Sequence, residues 1–121
     1  MVASVFIRRL REGATFEDFI REWEAEKGFG VPTRVINAPS LQDPRDIISI
    51  GFIDVSPEEM AEWFAKPQES EQVRHDRIDT VIESTTLKCQ YEVRTEYDIT
   101  DIPRPVPFDS PESLFAVMRP E

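Results

Sequence analysis

The most regular hydrophobic pattern of this chain lies between residues 87 and 98, where apolar and polar side chains alternate. The positions on one side are Leu87, Cys89, Tyr91, Val93, Thr95 and Tyr97. Because successive side chains of a strand point to opposite faces, the alternation predicts a long strand. Three earlier runs of β-branched and apolar residues, at 3–9, 33–38 and 46–55, predict three further strands.

The segments between these strands carry the spacing of amphipathic helices. Phe16, Phe19, Ile20 and Trp23 fall at i, i+3, i+4 and i+7 after the capping residue Thr15, which predicts a helix with one apolar stripe.

A second helical region begins at Ser56, which is followed by Pro57 and, three residues after Ser56, by Glu59. Pro67 divides this region, and its second part is predicted to run from residue 69 to residue 83. The element order is therefore β-α-β-β-α-β, with the second helical region split in two.

This order predicts an α+β, ferredoxin-like domain. Right-handed crossovers give a four-stranded antiparallel sheet with the helices on one face and the first and third strands at its centre. The third strand is apolar on both faces, but the helices cover only one of them. A second copy of the sheet is the simplest other cover, so we expect a homodimer packed sheet to sheet. The alternating strand is expected at an edge, with its polar side toward the dimer.

The chain changes character after residue 98. Its last segment contains Pro103, Pro105, Pro107, Pro111 and Pro120, which disfavour a place inside a sheet. The same segment carries many apolar side chains, including a Leu-Phe pair at 114–115. We expect residues 1–98 to form the domain and residues 99–121 to form a Pro-rich arm that docks on its own subunit or on the partner.

Composition narrows the classes of partner. The formal net charge is −10, and no cluster of Lys and Arg offers a nucleic-acid footprint. No apolar stretch approaches the roughly 20 residues of a membrane span, and no secretory signal is recognisable. We therefore expect a cytoplasmic protein that binds neither nucleic acid nor membrane. Cys89 is the only cysteine, so an intrachain disulfide is excluded, and no metal-ligand spacing is present.

Several short motifs resemble one superfamily by their placement. They are Lys27-Gly28-Phe29 after the first helix, Ser56-Pro57-Glu58-Glu59 after the hairpin, Trp63 late in the next helix, and His75 in the helix after Pro67. Residues 1–98 thus resemble the dimeric α+β barrel superfamily, which includes antibiotic-biosynthesis-type monooxygenases. The resemblance implies a ligand pocket between helices and sheet. It also implies cofactor-free oxygenation of aromatic or polyketide-like compounds, in which the substrate supplies the electrons.

Arg74 and His75 are the candidate catalytic residues. Arg74 shares a helical stripe with Ile78, so its guanidinium could hold a carboxylate or enolate of an acidic or phenolic substrate. The alternative is that its stem covers apolar surface while its guanidinium extends to solvent or pairs with a carboxylate. His75 could act as a base, or it could be a solvated helix residue beside Glu71 at i−4.

Four aromatic residues are the candidate ligand contacts. Trp63, Trp23, Phe64 and Tyr91 could line a flat pocket for a small hydrophobic or aromatic ligand, although large apolar residues at such spacing are commonly ordinary core. Cys89, on the apolar side of its strand, is expected to be a buried, inert thiol.

Two other functions are open. One is a ligand-binding or sensing dimer without catalysis, because no convincing catalytic pair stands out. The other is a haem-binding or haem-degrading protein, because the haem-degrading branch of the superfamily also places a Trp and a His on successive helices. That branch has an Asn in its first strand and this chain has none there, so no cofactor is expected.

Overall fold

The structure of the protein is a computed structural model that describes residues 1–24, 28–66 and 68–106. The described residues form nine elements. They are β1 (Val2–Leu10), α1 (Phe16–Trp23), β2 (Thr33–Pro39), β3 (Asp46–Ile53), α2 (Pro57–Phe64), α3 (Glu69–Asp79), β4 (Ile82–Glu92), β5 (Glu96–Asp98) and β6 (Arg104–Val106).

The first four strands form one antiparallel sheet in the order β2-β3-β1-β4. The predicted α+β class and the central position of the first and third strands are confirmed. This arrangement is compatible with a ferredoxin-like fold. A separate two-stranded sheet pairs β5 with β6.

The helix starts follow the local sequence signals. At α1 the Thr15 hydroxyl accepts a hydrogen bond from the Asp18 backbone N–H, and the Asp18 carboxylate accepts one from the Thr15 N–H. Ser56 and Glu59 form the same reciprocal cap at α2. Such a cap satisfies backbone donors that have no partner within the helix.

The third helix is shorter than predicted, because α3 ends at Asp79 and not at residue 83. Ile82, which continues the helical stripe of Ile78 in the sequence, instead starts β4 and pairs with Leu10. The side chain of Ile82 is buried in β4. An apolar residue at this position is thus compatible with the end of a helix and with the start of a strand.

The alternating segment does not form one strand from 87 to 98. β4 begins five residues earlier, and it shifts register between Ile7 and Arg8 of β1 and again between Arg9 and Leu10. It ends at Glu92, and the chain resumes extended pairing only in β5. In β5 the pattern is reversed, since Glu96 is buried and Tyr97 is exposed.

The hydrophobic core lies between the sheet and the helices. Leu10, Ile47 and Ile82 of the sheet pack with Phe19 of α1 and Ile78 of α3. A second, smaller cluster joins Val2, Ile53 and Met60, which brings α2 onto the same side. All three helices therefore cover one face, as predicted.

The other face of the sheet is also rich in apolar residues, and we call it the open face. Its central positions are Ala3, Val5 and Ile7 of β1 opposite Phe52, Ile50 and Ile48 of β3. Ile36 of β2 and Leu87, Cys89 and Tyr91 of β4 continue this face toward its two edges. Ile36 and Tyr91 are exposed, and most of the central residues are half-buried.

Two expectations about β4 are wrong. Its apolar side lies on the open face, while Lys88 pairs with Phe6 on the side of the helices, so the polar side is not turned toward the predicted dimer surface. Cys89 is exposed and not buried. Period two shows which residues share a face, but it does not show which face the helices cover.

The C-terminal segment is described only in part. Asp98 pairs with Arg104 in the β5–β6 ribbon, which crosses the predicted boundary at residue 98. Tyr97, Ile99 and Ile102 are exposed there. Residues 107–121, and with them the docking of the predicted arm, lie outside the described residues. Within the described ranges no helix is long and apolar enough to cross a membrane.

Candidate functional site

A small cavity lies between β1, β3 and the three helices. Its volume is about 90 Å³, and its walls include Phe6, Arg8, Trp23, Trp63, Arg74 and His75. β1 contributes Phe6 and Arg8 because both point to the helix side of the sheet, in register with Ser49 and Ile47 of β3.

A larger groove adjoins this cavity along α3 and β4. Its volume is about 600 Å³, and it shares Phe6, Arg8, Trp63, Phe64 and His75 with the cavity. The groove adds polar side chains at its outer side, among them Gln72, Asp79 and Lys88. Cavity and groove thus form one site, in which aromatic and charged side chains line the inner cavity and polar side chains line the outer groove.

Glu71 joins the two candidate catalytic residues. Its Oε2 accepts a 2.7 Å hydrogen bond from Arg74 Nη2 and lies 3.6 Å from His75 Nε2. The contact with His75 and the hydrogen bond from Arg74 lower the pKa of Glu71 to about 2, although partial burial acts in the opposite direction. The spacings i+3 and i+4 on one helix bring both basic groups to the same carboxylate.

Arg74 is held by the protein itself. Besides Glu71, its Nη1 donates a 3.0 Å hydrogen bond to the carbonyl oxygen of Trp23, at the end of α1. The guanidinium carbon lies 5.1 Å from the Trp23 ring centre, within the range of a cation–π contact. Arg74 therefore connects α3 to α1. Its pairing with Glu71 corresponds to the alternative in which its charge pairs with a carboxylate of the protein.

The aromatic residues form a continuous wall. Trp63 lies with its ring centre 5.4 Å from that of Phe29 and 5.2 Å from that of Phe64, and the latter pair meets edge to face. Phe64 remains 49% exposed, so this end of the wall is accessible to a ligand. On the other side of the groove, Phe6 lies 5.7 Å from the His75 ring.

The structure brings together five of the six predicted site residues. Trp23, Trp63, Phe64, Arg74 and His75 all line the cavity. Tyr91 is the exception, because it pairs with Ala3 on the open face of the sheet.

Arg8 was missed from the sequence, although it is the most buried cation of the site. It is 3% exposed, and its guanidinium carbon lies 4.3 Å from the Phe6 ring centre and 5.8 Å from that of Phe19. A usable signal was present: Arg8 and Arg9 are adjacent in a central strand, so one of them must point toward the helices.

Burial lowers the pKa of Arg8 to about 10, and the positive charge of Arg74 acts in the same direction. Asp79 opposes both effects. Arg8 thus remains a cation at neutral pH. Among the described residues, no cluster of three His, Cys, Asp or Glu side chains could hold a metal ion.

No family model, no curated protein and no solved structure matches this chain. The resemblance to the dimeric α+β barrel superfamily is therefore supported only by the compatible sheet order, and its chemistry stays a prediction.

Proposed function

We propose that this protein binds a small aromatic compound in the groove and cavity between its helices and its sheet. The observation that carries the proposal is the meeting of Trp23, Trp63 and Phe64 with the Arg74 guanidinium and the His75 imidazole around one space. An aromatic wall with a few convergent polar groups is typical of sites for small organic ligands.

The volumes favour the groove as the place for most of the ligand. A cavity of about 90 Å³ holds only a few atoms, whereas about 600 Å³ falls in the range of ordinary ligand pockets. A flat ring lying in the groove would contact Trp63 and the exposed part of Phe64. The cavity behind it would take a substituent.

We further propose that the protein is a homodimer packed through the open face. Val5, Ile7, Ile48, Ile50 and Phe52 occupy the centre of that face, and the described helices all pack on the opposite side. A contiguous apolar patch of this kind is characteristic of an interface. A two-fold axis would pair the patch with itself, as sheet-to-sheet packing requires.

Cofactor-free oxygenation is the second candidate function, and the position of His75 favours it. The His75 side chain is 28% exposed, and it lies on the groove wall with Glu71 behind it. It could remove a proton from an activated CH₂ group of a bound phenolic compound. The overall step would be R–CH₂–R′ + O₂ → R–CO–R′ + H₂O, in which the substrate loses four electrons and both oxygen atoms of O₂ are accounted for.

Haem binding is a third candidate, carried by Trp63 and His75 on successive helices. His75 would be the residue to hold the haem iron, and its Nε2 would first have to leave the Glu71 carboxylate, which lies 3.6 Å away. Titration with haem tests this directly, because a bound porphyrin shifts its main absorbance band.

The fluorescence of the protein tests the principal proposal. Both tryptophans of the chain line the cavity, so every tryptophan signal reports on the site. Titration with 2-naphthoate should change the emission and saturate. In Trp63→Phe only Trp23 emits, and in Trp23→Phe only Trp63 emits. The two variants therefore report the change in emission at each tryptophan separately. Emission that stays unchanged for a panel of naphthalene and anthracene derivatives, together with no heat of binding, would contradict the proposal.

Oxygen consumption separates binding from catalysis. If the protein is an oxygenase, an anthrone-type substrate should consume one O₂ per product ketone, and His75→Gln should reduce that rate at least about tenfold. Saturable binding without oxygen consumption would assign the protein to the non-catalytic, ligand-binding class.

A further inference from the structure

Arg8 is the one charged residue that the fold places deep in the site without an oxygen partner among the described residues. Its Nη1 is fully buried and makes no hydrogen bond there. Asp79 acts on it electrostatically, but the two do not form an ion pair.

The other arginines on the helix side donate hydrogen bonds to oxygen atoms of the protein. Arg74 donates to Glu71 and to the Trp23 carbonyl, and Arg77 donates to the Glu24 carbonyl at 2.9 Å. The arginine that follows in the same strand, Arg9, contacts both Asp43 and Asp46 at 2.9 Å. Each of these guanidinium groups thus donates to at least one oxygen, although Arg74 Nε and Arg77 Nε are also buried without a partner. No described residue supplies any oxygen acceptor to Arg8.

A buried guanidinium nitrogen without an acceptor is unfavourable, because it loses its hydration and gains no hydrogen bond in exchange. Phe6 and Phe19 offset part of this through their ring faces, but an aromatic ring accepts no in-plane hydrogen bond. A carboxylate is the group that matches the planar donors of a guanidinium.

The surroundings of Arg8 further define the ligand. Arg8 lines both the cavity and the groove, and Lys88 also lines the groove, with its Nζ 5.8 Å from the centre of the same Phe6 ring. Two cations therefore lie near one aromatic ring. The groove also contains acidic residues, of which Glu71 is paired with Arg74 and Asp79 forms no ion pair with Arg8. An aromatic compound that carries an acidic group fits this combination.

We infer that Arg8 forms a carboxylate subsite, and that the ligand of the groove is an aromatic carboxylic acid whose carboxylate reaches the Arg8 guanidinium while its ring lies against Phe6 and Trp63. The inference rests on the proposed function, since it assigns the acidic group of the ligand bound there. Arg8, and not Arg74, would then bind the anionic group of the ligand, because the two terminal nitrogens of Arg74 already donate to Glu71 and to the Trp23 carbonyl.

The test compares two ligands of equal shape on the intact wild-type protein. 2-Naphthoate carries the carboxylate, and 2-naphthamide replaces it with a neutral group of similar size. Tryptophan emission and calorimetry should give a dissociation constant about 10 to 100 times lower for the naphthoate, as expected for a charge-assisted hydrogen bond.

Arg8→Met removes the charge and keeps an unbranched apolar stem, and Arg94→Met is the control at an arginine with a 77% exposed side chain. Arg8→Met should abolish the preference for naphthoate and leave naphthamide binding within about threefold of wild type. It should also melt no lower than wild type, since a buried charge without a partner gives way to an apolar group. The control should keep the full preference.

Each result has a distinct meaning. Equal affinity of the wild-type protein for both compounds would overturn the carboxylate subsite and leave the proposed function standing. Failure of both compounds and of the wider naphthalene and anthracene panel to bind would remove the proposed function and the subsite together. A preference for naphthoate that Arg8→Met retains would overturn the assignment of the subsite to Arg8. If Arg8→Met does not fold, Arg8→Gln, which is also neutral, replaces it in the same comparison.

Discussion

Arg74 Nη2 donates a 2.7 Å hydrogen bond to Glu71 Oε2, three residues earlier on α3. The same guanidinium reaches the Trp23 carbonyl, so this ion pair connects α3 to the end of α1. The side chains of Arg74 and Glu71 are only 11% and 16% exposed, which protects the pair from solvent screening. The pair therefore holds the helices that form two walls of the proposed site.

Glu71→Gln should lower the free energy of unfolding at pH 7 by about 1 to 2 kcal/mol, because Arg74 keeps its position but loses the charge of its acceptor. The folded pKa of Glu71 is lowered from 4.5 to about 2, so its ionised form stabilises the fold above pH 4.5. This contribution is lost as the pH falls from 4.5 toward 2. Urea unfolding of both proteins should thus show a difference that shrinks over this interval.

Glu69→Gln is the matched control, since Glu69 is an exposed acid on the same helix. Its effect on unfolding should stay within about 0.5 kcal/mol at every pH. A difference between Glu71→Gln and wild type that grows as the pH falls would contradict the assigned role of the carboxylate.

The sequence predicted those parts of the fold that depend on local signals. Thr15 and Ser56 mark their helix starts by side chains that cap them, and the doubly apolar third strand indicates its central position. The end of α3 could not be predicted in this way. Ile82 continues the helical stripe in the sequence, but its pairing with Leu10, 72 positions earlier in the chain, decides that it belongs to β4.

The candidate site could also be predicted only where it depends on local sequence signals. Helical spacing predicted that Arg74 and His75 lie on one helix, whereas the tertiary structure brings Trp63 and Phe64 of α2 to the same cavity. Tyr91 was placed on the wrong side because alternation does not reveal which face the helices cover. The burial of Arg8 could not be predicted from the sequence, because it depends on the helices that pack on β1.

Ile78→Ala should lower the free energy of unfolding by about 2 to 5 kcal/mol. Ile78 is fully buried between Phe19, Leu10 and Ile47, so the truncation leaves a cavity at the junction of α1, α3 and the sheet. Val73→Ala is the control on the same helix, because Val73 is 60% exposed. A loss of similar size at both positions in chemical denaturation would show that α3 does not pack as described.

Ile50→Glu should convert the proposed dimer to a monomer that keeps its fold. Ile50 lies at the centre of the open face, between Val5 and Ile36, so a carboxylate there would be buried without a partner in a sheet-to-sheet dimer. In the monomer the same carboxylate remains hydrated. Light scattering measures the mass, and circular dichroism reports whether the sheet persists.

Leu41→Glu provides the control for added charge, because Leu41 is 97% exposed in the loop before β3. This variant should remain a dimer. Wild-type protein that is monomeric at micromolar concentration would end the dimer proposal, whatever the variants do.

Cys89 offers a chemical test of the same surface in solution. It is the only cysteine, it lies on the open face opposite Val5, and it is exposed in the single subunit. A sheet-to-sheet dimer would shield it, so a maleimide should label the wild-type protein at least about tenfold more slowly than the Ile50→Glu variant. The rates for wild type should rise on dilution, because the shielding depends on association. Equal, fast labelling of both proteins at all concentrations would show that the open face stays in contact with water, and the apolar side of β4 would then need another explanation than a partner subunit.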